Sequence, residues 1–140
     1  MKYLTIIIFI LTLGGTMGLL SKIFGQTEKT PKIYYSINYK AYNVKVNISC
    51  GSSVIINDEF EFSGTGARPI NDFLKDSSNQ ITIRLDAVDK NKEDWSFDLL
   101  ITKAMEGQYA DEGEELWHFH ADYQDTTKSL PLEVSNNIVK

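Results

Sequence analysis

Beyond position 32, apolar residues recur at every second position, not every third or fourth, and that period confines the chain to half-buried strands. Ile33, Tyr35, Ile37 and Tyr39 alternate with Tyr34, Ser36, Asn38 and Lys40. Val44, Val46, Ile48 and Cys50 alternate with Lys45, Asn47 and Ser49. Ile81, Ile83, Leu85 and Ala87 form a third inward row, and Trp95, Phe97, Leu99 and Ile101 form the longest. Strands that hide one face and wet the other belong to antiparallel sheets, whereas strands of parallel sheets are apolar on both faces. Fully burying large side chains is worth roughly 1.5–3 kcal/mol each, so these rows are expected to form the stabilising centre.

The intervening segments carry turn chemistry. Gly51-Ser52-Ser53 reads as a turn. Val54, Ile56, Phe60 and Phe62 make the next inward set, with Asp58 out of step, so a bulge is expected near Asp58. Ser63 to Pro69 reads as a loop, and Ile70 to Leu74 as a turn or one helical turn capped by Asn71 or Asp72. Asp89 to Asp94 is a charged turn, Glu106 to Glu114 a glycine-containing loop, and Leu116 to Tyr123 another strand. Pro131 to Val139 completes the set as an edge strand, with Pro131 at its start, where a missing N–H does no harm. Seven short strands without a long helix predict an all-β fold. The expectation is a seven-stranded antiparallel β-sandwich, jelly-roll or immunoglobulin-like, over residues 33–140.

Residues 1–25 stand apart. Lys2 precedes an apolar run from Tyr3 to Leu13, followed by the small residues Gly14, Gly15, Thr16 and Gly18. That pattern is a secretory signal. With Leu19 and Leu20 the stretch nears the lower length for spanning a bilayer, so an uncleaved membrane anchor is the alternative. Residues 26–32, with Pro31, read as a tether. Export implies the periplasm. Removing Lys2 and Lys22 with the leader leaves twelve Lys and Arg against nineteen Asp and Glu. An acidic domain of this kind argues against a nucleic-acid partner. The single Cys50 excludes an intrachain disulfide, and its place on an apolar row marks it as a buried, inert thiol. Asn47-Ile48-Ser49 is a glycosylation sequon, of consequence only in a eukaryotic source.

Catalytic motifs are missing from the sequence. There is no Gly-x-Ser-x-Gly, no His-Glu-x-x-His and no phosphate-binding loop, and no enzyme is expected. In a strand, His118, His120 and Asp122 would share one face and Trp117, Phe119 and Tyr123 the other. Such a face could hold zinc or copper, but a polar outer face opposite an aromatic one explains all seven residues from Trp117 to Tyr123, and no metal or other cofactor is expected. From Ala104 to Asp125, Glu106, Asp111, Glu112, Glu114, Glu115, Asp122 and Asp125 occur with no Lys or Arg. The window is either a solvated loop or a surface aimed at a basic partner. Gly64-Thr65-Gly66 beside Arg68 could cradle an anion, or could simply be a turn.

Ile70 to Leu85 resembles an element of jelly-roll accessory domains, found in glycoside hydrolases and small bacterial periplasmic sandwich proteins: a short turn, a Leu, a loop, an Asn and an alternating strand. Ser78 stands where that element usually has Gly. The leader Lys2–Leu20, the short tether and the acidic domain together are similar to periplasmic immunity proteins, including those against muramidase bacteriocins such as pesticin. The second resemblance implies occlusion of a basic, cell-wall-degrading toxin. Its partner-binding residues would be Glu106, Tyr109, Asp111, Glu112, Glu114, Glu115 and Trp117. The first implies the alternative, a carbohydrate- or envelope-binding module. A metal-handling protein using His118 and His120 is a third reading.

Overall fold

A single residue, Asn43, separates the first two strands and sends them into opposite sheets. Its backbone lies at φ 50°, in the left-handed region that Asn enters more readily than most residues. Its side-chain Nδ2 donates to the Asp94 carbonyl at 2.6 Å. The computed structural model describes residues 30–88, 94–125 and 128–140. The expected signal or anchor (1–25) lies outside the described residues, as do the first part of the tether and most of the charged turn after Val88. No helix among the described residues is long and apolar enough to cross a membrane.

Eight strands follow in chain order: β1 (Ile33–Tyr42), β2 (Val44–Cys50), β3 (Ser53–Phe60), β4 (Gly64–Pro69), β5 (Ser78–Ala87), β6 (Ser96–Met105), β7 (Glu114–Asp122) and β8 (Leu132–Val139). They make two four-stranded sheets, ordered β4-β1-β6-β7 and β3-β2-β5-β8. Every paired neighbour is antiparallel. The β-sandwich is thus as expected, with eight strands in place of seven. The immunoglobulin order, in which strands one and two share a sheet, is not the one seen.

The additional strand is β4, which sequence patterning assigned to a loop. Its inward positions hold glycine because neighbouring rings fill the space. A Cβ on Gly66 would stand 2.5 Å from Tyr39 Cζ, and one on Gly64 would collide with the Phe60 ring. Those two rings meet edge to face at 5.9 Å. Tyr39 also donates to Asp58 Oδ2 at 3.2 Å. Burial, and then that carboxylate, push the Tyr39 phenol above its ordinary pKa. The Gly64–Gly66 segment is therefore a strand under aromatic cover, not an anion cradle.

The bulge lies at Ile55, not near Asp58. Ile48 pairs with Ile56 and Ser49 with Val54, leaving Ile55 unmatched, while Asp58 pairs regularly with Val46. The extra residue lets two consecutive isoleucines, Ile55 and Ile56, both be buried. Val54 and Phe62, expected inward, are instead 55% and 77% exposed. Arg68 donates from Nη1 to the Ile55 carbonyl at the bulge, which accounts for one of the two arginines.

Asn71 does not cap the short 3-10 turn at Asn71–Phe73. Its amide does the work of a missing strand neighbour: Oδ1 accepts Tyr35 N–H at 2.8 Å and Nδ2 donates to Ile33 O at 2.8 Å. Ile70 and Leu74 on either side of the turn are buried in the core. The loop that follows is closed by Asn79, itself 4% exposed. Asn79 accepts Lys75 N–H at 2.7 Å and donates to the carbonyls of Lys75 and Ser77 at 3.0 and 2.7 Å.

Between the sheets lie the inward rows of β1, β2, β5 and β6. Ile37, Val44, Ile48, Ile81, Ile83, Leu85, Phe97, Leu99 and Ile101 are fully buried. Cys50 ends the β2 row as a buried free thiol. Burial raises its pKa, against a smaller lowering by Lys75.

Candidate binding surface

The acidic window is built on the β6–β7 hairpin and shaped by one close contact. Gly113 packs so tightly on β6 that a Cβ there would lie 2.7 Å from the Lys103 carbonyl oxygen and 3.1 Å from Ala104 Cβ. The chain just before it forms a second 3-10 turn, Ala110–Glu112. Tyr109 N–H donates to Glu112 Oε2 at 3.0 Å, and Glu112 N–H returns to Tyr109 O at 3.1 Å. Glu112 thus holds the turn as well as charging it. Further back, Met105 N–H donates to Gln108 Oε1 at 2.8 Å, Gln108 N–H to Met105 O at 3.0 Å, and Glu106 N–H to Lys32 O at 2.8 Å. The hairpin end is pinned to the start of β1.

The expected site residues are thereby sorted. Tyr109 is 76% exposed at the turn, and Glu106, Asp111, Glu112, Glu114 and Glu115 are exposed around it. Glu114 pairs weakly with Lys103, at 3.8 Å. Trp117 is a different case. It sits opposite Ile101 and packs half-buried against the core, with Phe119 at 6.1 Å. Trp117 packs on the sheet, and of the two expected aromatic site residues Tyr109 is the exposed one. Lys128 covers Phe119 at 5.2 Å from the ring centroid, with its ammonium donating to His120 O at 2.8 Å.

On the outer face of β7 the two histidines meet a residue that motif reading passed over. Asp98 on β6 lies opposite His120. Its Oδ2 faces His118 Nε2 at 3.2 Å and His120 Nδ1 at 3.3 Å. His120 Nε2 faces Asp122 Oδ2 at 3.3 Å. The four side chains make a ladder on the sheet surface, in which a neutral imidazole at His120 donates to one of its two facing carboxylates. Among the described residues, no three His, Cys, Asp or Glu groups are disposed to hold a metal ion.

Beside the ladder, a groove of about 570 Å³ opens across β4, β1 and β6. Asn38, Lys40, Thr65, Ala67, Asp98 and Leu100 line it, and Asp111 of the 3-10 turn forms part of its wall. A smaller hollow of about 210 Å³ shares Asn38 and Ala67 and reaches Tyr34, Gln108 and Ala110. The outward parity of Asn38, Lys40 and Asp98 is legible in the sequence. Which strands lie side by side is not, and the groove depends on that. Comparison of the chain with family models, curated proteins and solved structures finds no match.

Proposed function

We propose that this chain is an exported immunity or inhibitor protein of the periplasm. It binds and occludes a basic, cell-wall-degrading bacterial toxin, using the 106–115 hairpin end and the adjoining outer face of the β4-β1-β6-β7 sheet. The observation that carries the reading is the disposition of the acidic window. Five carboxylates and the exposed Tyr109 stand on a turn that is braced by Gly113 and by the Glu112–Tyr109 bonds. A braced single-sign surface steers an oppositely charged protein and presents an aromatic anchor at low entropic cost. Enzymes that work on anionic cell walls carry the matching positive charge.

The test needs a basic cell-wall hydrolase, sought among the products of the genes that neighbour this one. Directed to the periplasm, it should kill cells, and the chain should protect them. Replacing Glu106, Glu114 and Glu115 by Lys spares Glu112, which holds the turn. This reversal should slow association in stopped flow about tenfold or more at low salt and flatten its salt dependence. Absence of protection and of binding by the unaltered chain would overturn the proposal.

A further inference from the structure

We infer that the groove across β4, β1 and β6 is a subsite for a cationic side chain of the partner, a guanidinium or ammonium carried on an apolar stem. The inference rests on the proposed binding of a basic protein and assigns that partner a point of insertion. Asp98 and Asp111 come from different elements, a strand and the 3-10 turn, and both line the same groove. Between them the lining includes Leu100 and Ala67, with Asn38 and Thr65 as neutral hydrogen-bonding groups. Lys and Arg present this same combination, an apolar stem that packs and a charged head that seeks carboxylate.

Asp98 is held ready for the role. Both imidazoles face its Oδ2, which fixes the carboxylate's orientation and leaves Oδ1 without a hydrogen bond among the described residues. Asp111 forms no ion pair among the described residues. Lys40 lies directly across from Asp98 on β1 and is exposed, yet it pairs with neither carboxylate. In the lining two carboxylates stand against the one ammonium of Lys40, and neither carboxylate has a Lys or Arg partner among the described residues, so the groove favours an incoming cation over an anion. Its volume, about 570 Å³, admits more than one side chain, so a short basic segment can lie across it.

The probe is a fluorescein-labelled triarginine peptide, read by anisotropy on the protein isolated from the cell envelope. Tricitrulline, its uncharged counterpart, and chitotriose, a neutral saccharide, serve as comparisons. Triarginine should bind and tricitrulline should not. Asp98→Asn and Asp111→Asn should each weaken binding about tenfold, while Glu133→Gln, on β8 of the other sheet, should change nothing. Asp111→Asn touches an exposed turn residue, so its effect cannot be ascribed to unfolding. Unchanged triarginine affinity in both groove variants would overturn the inference, as would chitotriose shifting the amide resonances of Asn38, Ala67 and Leu100 when triarginine does not. If the Glu106, Glu114 and Glu115 reversal still slows toxin association while both groove variants behave as the parent, the subsite falls and the proposed function stands.

Discussion

Gly113→Ala tests what keeps the acidic turn in place. Gly113 lies at φ −75° and ψ 168°, a conformation open to any L-residue. Backbone freedom is therefore not the reason for glycine there. By chain entropy alone, Ala should stabilise by about 0.4–1 kcal/mol, because the unfolded chain has fewer states to lose. The contact works in the opposite direction. The new Cβ would meet Lys103 O at 2.7 Å, Lys103 C at 2.9 Å and Ala104 Cβ at 3.1 Å. Ordinary carbon contacts lie at roughly 3.5–4.0 Å, so strand and turn must separate by about half an ångström or more. The Lys103 atoms are backbone within β6, and no side-chain rotation relieves them. Overpacking of this kind costs about 1–3 kcal/mol. The net expectation is a loss of about 1–1.5 kcal/mol, seen as a lower urea midpoint at unchanged m. Amide exchange should quicken at Lys103 to Glu112 and not in β2 or β5. Triarginine affinity should fall with it, because Asp111 moves away from the groove. A rise in stability of about 0.4–1 kcal/mol would refute the close-contact account, leaving entropy as the only operative effect. Gly107 is the contrasting case: φ is +94° and the space is open, so Gly107→Ala should cost about 1 kcal/mol through backbone strain while leaving amide exchange in β6 slow.

Asn79→Ala removes three hydrogen bonds that a buried side chain makes to the exposed loop before it. At about 1 kcal/mol net for each bond, urea unfolding should show a loss of about 3 kcal/mol, and a loss below 1 kcal/mol would mean that water replaces them. Cys50 should react with a thiol reagent far more slowly in native than in unfolded protein, since it is buried and its pKa is raised by that burial; rapid native labelling would contradict this.

Strands whose inward row is supplied by their own residues were legible from sequence, and strands whose cover comes from elsewhere were not. Val44 to Cys50, Ile81 to Leu85 and Phe97 to Ile101 alternate strictly, and a slip of one residue would turn each row to water. β4 has no such row, since Tyr39 and Phe60 fill the places of its missing side chains. Consecutive Ile55 and Ile56 defeat any period-two rule until a bulge is allowed between them. The same distinction holds at the site. Glu106 to Glu115 was visible as a run, but Asp98 lies 20 residues from His118 and no motif joins them. Their meeting follows from the β6–β7 register, which pairs Asp98 with His120 and Leu99 with Phe119. That register is maintained by burial on the opposite face, where Phe97, Leu99 and Ile101 are fully enclosed. Shifting β6 by one residue would bring Asp98 into the core and leave its charge without water, at a cost of several kcal/mol. Burial of the hydrophobic row and the position of Asp98 in the groove are therefore two consequences of one register. A substitution that loosens Leu99 or Ile101 should disturb the groove even though neither side chain reaches it.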